Sequence, residues 1–442
     1  MHRTFKLALV AALPAVLATG CSDWLTGSGL DNDPNRPTEG SVELLLVGVQ
    51  AAQFNNITGG FARHAAMMTQ QMAGTGNQYK QYYNYDYTEN DYTQEFANIY
   101  GTGGLIDIRR IQAAARDDDD KALLGMAQVH EALLMGTAAS IFGDLPYSEA
   151  INEEIATPKL DPQQEIYESL QALLDSAIDN LESAAAVKPN IKSADLIYKG
   201  DLAKWTEAAY TLKARYWMHV AEQLGTPAYQ NAITAAQNGI STSANDMLTY
   251  QSAKSGEENL WWQFLDSRPG DMKSDPFLVN LMTSRSDPRL TDYFQPDGSG
   301  NVVGGTALLA ADGRGAPEYR QPMVTWDENQ LILAEAEFQV NGQAAAQPYL
   351  DAVRAKYGLP TGGAYPATLA NIMEEKYVTL FQSVEVWNDY KRTCLPALTP
   401  KTGTEIPGRI FYGVDERNAN PNIPAPGTDP NGKRNWNDPN AC

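Results

Sequence analysis

Histidine and cysteine are scarce in this 442-residue chain, with four and three copies. His2, His64, His130 and His219 stand alone, none at zincin spacing, and the cysteines have no metal-ligand spacing. No metal site is expected from them. The Gly-x-Ser-x-Gly elbow, the phosphate loop and the dinucleotide fingerprint are also missing, so no catalytic residue and no cofactor is expected. The paired carboxylates of a glycoside hydrolase meet in space rather than in sequence, so among 54 acids their presence carries no information. Positive charge is in deficit: 33 Lys and Arg against 54 Asp and Glu leave a net −21. That balance argues against nucleic acid or anionic lipid as the main partner, since both need a cationic surface. Past the first twenty residues there is no apolar run of the ~18 residues that crossing a bilayer takes.

Those first twenty residues read as an export signal. His2, Arg3 and Lys6 precede an apolar stretch from Leu7 to Leu17, and Leu17-Ala18-Thr19-Gly20-Cys21 sets a cysteine directly after small residues. Cleavage before Cys21 and lipid attachment to its sulfur is the expectation; Ala18 departs from the leucine more often found there. Residues 22–38, rich in Asp, Asn, Gly and Pro, read as a flexible tether. Cys394 and Cys442 remain in the irregular C-terminal part as a candidate disulfide, which their spacing alone neither supports nor opposes.

The body from residue 39 reads as mainly α-helical, in packed helical pairs over 39–240 and 325–392. An irregular insert spans about 241–324 and an irregular tail 396–442. Length alone suggests two or three domains, yet a helical assembly of this size can be one unit, and 43% hydrophobic residues suffice for a sizeable core. Lys121 to Ser140 predicts a long helix ended by Gly143 and Pro146. Asp161-Pro162-Gln163-Gln164 predicts a capped start for a helix whose apolar stripe includes Ile166, Leu170, Leu173, Leu174, Ile178 and Leu181. The run Asp117 to Asp120 lacks the spacing of a calcium loop and reads as an acidic helix N-terminus.

Two aromatic stretches stand out. Gly74 to Tyr92 carries Tyr79, Tyr82, Tyr83, Tyr85, Tyr87 and Tyr92 among Asn, Gln and Gly without helical period, and reads as a loop. Tyrosines there offer flat faces with polar tips suited to sugar rings, or else pin the loop to the helices beneath. Asn259-Leu260-Trp261-Trp262-Gln263-Phe264 reads by default as core.

Several motifs carry a resemblance. Gly143-Asp144-Leu145-Pro146-Tyr147-Ser148-Glu149-Ala150 is similar to the "GD-x-PY-x-EA" signature of the SusD/RagB family, surface lipoproteins that capture nutrients beside an outer-membrane transporter. Asp33-Pro34-Asn35-Arg36-Pro37-Thr38 resembles that family's "NPN-x-PT" start, and Gly200 to Trp205 with Leu212 to Tyr216 its "GD-x-x-K-W … L-K-x-R" helix. Asp287-Pro288-Arg289-Leu290 with Tyr293-Phe294, Glu328 to Ala336, Glu374 to Tyr377, Glu385 to Arg392 and Ile406 to Tyr412 follow in the family's order.

The resemblance implies a SusD-like fold: a tetratricopeptide-like scaffold of helical pairs with an irregular, loop-rich, ligand-facing half. It implies a lipid-anchored outer-membrane protein facing the exterior, which binds glycan or another oligomeric nutrient and delivers it to a SusC-like TonB-dependent transporter. Tyr79, Tyr82, Tyr83 and Tyr85 are then candidate ligand contacts, and Trp261 and Trp262 candidate sugar platforms. A secreted glycan hydrolase and a tetratricopeptide-type scaffold for envelope assembly are the alternative readings.

Overall fold

A computed structural model describes residues 40–429, 432, 434–440 and 442. The expected signal, Cys21 and the tether lie outside the described residues. The chain divides into a unit of residues 1–44 and one of residues 45–442.

Helix comes first wherever a cap and an apolar stripe coincide. The elements are α1 (Val42–Gln53), a π-helical stretch (Phe54–Phe61), α2 (Ala62–Met68), β1 (Met72–Gly74) and α3 (Asn77–Tyr83). Then follow α4 (Thr93–Tyr100), α5 (Leu105–Asp117), α6 (Lys121–Phe142), α7 (Gln163–Ser183), α8 (Pro189–Ala194), α9 (Leu202–His219), α10 (Ala221–Leu224) and α11 (Thr226–Ala236). The insert holds β2 (Met247–Leu248), α12 (Leu260–Ser267), β3 (Met272–Ser274), α13 (Pro276–Ser284), α14 (Leu290–Tyr293) and β4 (Pro322–Val324). The last group is α15 (Trp326–Asn341), α16 (Gln343–Lys356), α17 (Leu369–Thr379), α18 (Glu385–Thr393) and α19 (Val414–Ala419). The protein is mainly α, as the sequence predicts.

Helix packs on helix in an unbroken series: α5 on α6, α6 on α7, α7 on α9, α9 on α11, α11 on α15, and α15 on both α16 and α17. The series passes straight from α11 to α15, so residues 241–324 form an excursion from the scaffold. Antiparallel pairing of β2 with β4, Met247 opposite Val324, closes that excursion at its base. In the last pairs Leu331, Ala334, Leu350, Val353 and Ile372 build one fully buried cluster, the apolar burial that stabilises a short helix more than propensity does.

Helix α6 is apolar on every side and correspondingly buried along nearly its whole length. Gly136 is required there by close approach: a Cβ would sit 2.3 Å from the hydroxyl of Tyr216, which donates to the carbonyl of Ala132 at 2.7 Å. Asp120 caps α6 by accepting from the amide of Leu123 at 3.0 Å, so the aspartate run serves as a helix end followed by a cap. Gly143 ends α6 at φ 86°, the left-handed conformation that favours glycine.

The cap of α7 differs from the expectation. Asp161 turns away from its own helix and accepts from the amides of Tyr147 and Ser148 at 2.9 and 2.6 Å and from the Ser148 hydroxyl at 2.7 Å. The amide of Gln163 donates instead to Asp144, at 2.8 Å. The two aspartates thus exchange roles across the bridge between Leu145 and Asp161.

The other motif residues are buried ion pairs between helices. Arg215 on α9 grips Glu328 on α15 with two bonds of 2.6 Å. Arg289 bonds Asp287 and Glu375, both at 2.7 Å, and Arg285 and Arg354 converge on the same Glu375. Glu335 accepts from Lys376 at 2.8 Å and pairs with Arg392 at 2.5 Å. Neighbouring Glu337 accepts from Asn341 on its own helix. Cys394 and Cys442 are joined by a disulfide.

Candidate functional site

The tyrosine stretch is more ordered than its composition suggests. Residues 77–83 form α3, a helix held by partners far away in sequence rather than by its own period. Strand β1 pairs with β3, Met72 opposite Ser274 and Gly74 opposite Met272. Past it, the amides of Thr75 and Gly76 donate to the carbonyl of Asp271 at 2.8 and 3.3 Å, and Asn77 donates to the Asp271 carboxylate at 2.7 Å. The start of α3 is therefore sewn to the segment that follows α12.

That stitching brings the two aromatic stretches together. The Tyr79 ring meets Phe264 of α12 at 4.7 Å in an edge arrangement, and the Arg63 guanidinium lies 4.7 Å from the same Phe264 ring. Both geometries are favourable for aromatic and cation–π contact. Burial lowers the pKa of Arg63 below the ordinary arginine value, with Tyr79 the strongest opposing influence. Asn259 caps α12 by accepting from the amides of Trp261 and Trp262 at 2.8 and 3.2 Å. Tyr79, Trp262 and Phe264 are each half-buried.

The remaining candidates divide. Trp261 is fully buried and its indole donates to the carbonyl of Thr58 at 2.8 Å; it packs α12 onto the π-helical stretch and offers no face to a ligand. Tyr82 is buried too, its hydroxyl donating to Asp91 at 3.0 Å and its ring 5.8 Å from Tyr92. Tyr87 and Tyr92 are pinned likewise, to the carbonyl of Arg409 and to His64. Tyr83 and Tyr85 are half-buried beneath the tail: Tyr83 donates to Asp275 with Lys401 4.8 Å above its ring, and the Tyr85 hydroxyl accepts from the Lys401 amide at 3.2 Å. Burial first, then Asp275, raises the pKa of Tyr83, so its hydroxyl stays protonated.

Sequence reasoning missed Arg63 and Phe264. Phe264 stood inside a cluster read as core, and Arg63 carried no local signal because it meets Phe264 only where α12 packs on the π-helical stretch that precedes it. Among the described residues no group of His, Cys, Asp and Glu gathers as a metal site, and no helix is long and apolar enough to cross a membrane.

The comparisons agree with this architecture. The profile of the SusD-like family, described as "Starch-binding associating with outer membrane", matches residues 34–336. The chain belongs to the SusD-like family. Among solved structures, a SusD/RagB family protein from Bacteroides thetaiotaomicron is similar with a TM-score of 0.73 at 22% identity, over 91% of this chain and all of that one. A chitin-binding protein gives 0.73 at 23% identity, over 90% of this chain and all of its own. A SusD-like protein from B. thetaiotaomicron gives 0.72 at 20%, over 90% and 97%. At these identities the likeness shows the fold. No curated protein matches the sequence. The family description places this SusD-like chain among glycan-binding proteins associated with the outer membrane.

Proposed function

We propose that this SusD-like protein captures oligosaccharide, or another oligomeric nutrient, at the cell surface and delivers it to a SusC-like TonB-dependent transporter. On this reading residues 1–20 are removed, Cys21 carries the lipid, residues 21–38 are the tether, and the body from residue 39 acts as one unit facing the exterior. The action is binding without bond-making, in keeping with a family described by what it binds.

The observation that carries the reading is the meeting of Tyr79 and Phe264, from two distant segments, in one half-buried aromatic contact with Arg63 beside it; Trp262, two residues before Phe264 on α12, is half-buried as well. Flat rings with polar tips stack on sugar faces, while neighbouring amide side chains satisfy hydroxyls. Tyr82 packs against Tyr79 from the same helix and Trp261 anchors α12 from within, while Tyr83 and Tyr85 lie under the tail.

Two measurements test the proposal. Titration calorimetry with starch and chitin oligosaccharides should give saturable binding that Trp262→Ala weakens. Affinity isolation of the full-length lipoprotein from gently solubilised native membranes should bring a stoichiometric TonB-dependent transporter with it. Recovery of a periplasmic assembly complex in its place would favour a scaffold role, and oligosaccharide cleavage by the pure protein would make it a hydrolase.

A further inference from the structure

A second site lies where the insert meets the scaffold. A cavity of about 350 Å³ opens between the end of the insert, the first turn of α15 and the C-terminal ends of α16 and α17. Its size falls at the lower end of small-molecule pockets, roughly 300–1,000 Å³, which is room for one sugar-sized ring.

In a protein of net charge −21, the charges lining this cavity are balanced in number. Three cations face it, Arg314, Arg320 and Lys356, against Asp246, Asp327 and Glu328. Two of the acids are already matched: Glu328 by Arg215 at 2.6 Å, and Asp327 by Lys356 at 2.7 Å. Burial, reinforced by nearby Asp327, pushes Asp246 up to about 7, so its charge is partly suppressed at neutral pH. No acid of the lining is paired with Arg314 or Arg320. Arg314 is buried among the rings of Tyr293, Tyr319 and Phe381, its nearest carboxylate is 3.9 Å away, and its Nε has no hydrogen-bond partner. Arg320 is exposed at the rim, where its Nε donates to the carbonyl of Thr249 at 2.6 Å.

Arg314 donates to the carbonyl of Phe381 at 3.3 Å, and its one carboxylate neighbour, Asp292, is exposed and 3.9 Å away; a buried guanidinium so weakly paired is costly, and a bound anion offsets that cost. The planar fork of an arginine matches a carboxylate bidentately. Half-buried Tyr319 and Tyr357 supply aromatic surface beside the cations, and Thr325, Thr379 and Ser383 supply hydroxyls.

We propose that this cavity binds a small carboxylate-bearing ligand, held by Arg314 and Arg320 against the faces of Tyr319 and Tyr357. A uronic-acid unit and the C-terminus of a short peptide both present that chemistry. The site is distinct from the aromatic patch, though tied to it. Asn259, which caps α12, also donates to the carbonyl of Tyr319 at 2.8 Å, so one residue holds both walls.

The test is calorimetry on the full chain with glucuronate, glucose and alanyl-alanine, using the wild type, Arg320→Gln and Tyr79→Ala. Arg320 is at the surface, so its replacement leaves the fold intact, which thermal melting checks. Saturable glucuronate binding, lost with glucose and weakened about tenfold by Arg320→Gln but untouched by Tyr79→Ala, is the expected result. Binding of alanyl-alanine with the same Arg320 dependence would support the carboxylate site and assign it to peptides. Equal binding of glucose and glucuronate, insensitivity to Arg320→Gln, or no saturation by either carboxylate at 10 mM (about 3 kcal/mol) would overturn it.

Discussion

The ammonium group of Lys391 lies 2.5 Å from the carbonyl oxygen of Ser140, in the last turn of α6. Cations favour the C-terminal end of a helix, where carbonyls lack intrahelical partners. Here the cation is buried, and burial lowers the Lys391 pKa to about 8. A depressed lysine contributes stability that is full above its unfolded value, near 10.5, and is lost as pH falls through about 8. The protein should therefore gain on the order of 3 kcal/mol from this group between pH 7 and pH 10.5. Lys391→Met should flatten that part of the profile, and melting curves at several pH values decide it. Parallel profiles for both proteins would count against the assignment.

The adjacent tryptophans should behave as opposites. Trp261→Ala removes a fully buried ring and its bond to Thr58, which should cost about 3–5 kcal/mol of stability. Trp262→Ala and Tyr79→Ala should leave the melting temperature nearly unchanged while weakening oligosaccharide binding roughly fivefold or more. Tyr82→Ala belongs with Trp261, because its hydroxyl and ring are both engaged inside. Calorimetry and melting on the four variants give the comparison.

Acid should attack the scaffold at its buried pairs. Burial alone would raise the Glu335 carboxyl, but Arg392 and Lys376 outweigh it and hold it at about 2. Its contribution is present above the unfolded value near 4.5 and is lost as pH falls through about 2. Glu335→Gln should lower stability by about 3–5 kcal/mol at pH 7, since Arg392 and Lys376 lose their charge partner. The deficit should narrow below pH 3, as followed by helical circular dichroism in urea.

Asp246 should show the reverse dependence. Its raised pKa means that its contribution is full below about 3.8 and is lost as pH rises through about 7. Asp246→Asn keeps an acceptor for the Trp326 amide and removes the charge. The variant should melt roughly a degree or two above the wild type at pH 8.5, with the gap absent at pH 4.

What could be read from the chain was what local chemistry dictates. The limits of α6 follow from Asp120 and Gly143, and α7 follows from its apolar spacing. The role exchange between Asp144 and Asp161 was hidden because it depends on a bridge between two segments. Likewise α3 looked like a loop, since Gln78-Tyr79-Lys80-Gln81-Tyr82-Tyr83 has no apolar period and its order comes from β3, some two hundred residues on. Aromatic type singled out two stretches that the fold brings into contact at Tyr79 and Phe264, but only burial separates Trp262 from Trp261. Family motifs located the scaffold because Arg215, Arg289, Glu335 and Glu375 are the ion pairs that build it.

The last turn of α6 takes its partners from Lys391 to Ser140, Arg409 to Phe142 and Asn435 to Ser140, contacts spanning 251, 267 and 295 residues. Contacts this distant make folding slow, because long loops must close before the bonds form. A growing chain holds this long helix, buried along nearly its whole length, well before the segments that finish it exist. Until about residue 435 is available, that helix remains a hazard for aggregation, so the timing of synthesis, and any chaperone that shields the interval, bears directly on how much protein matures.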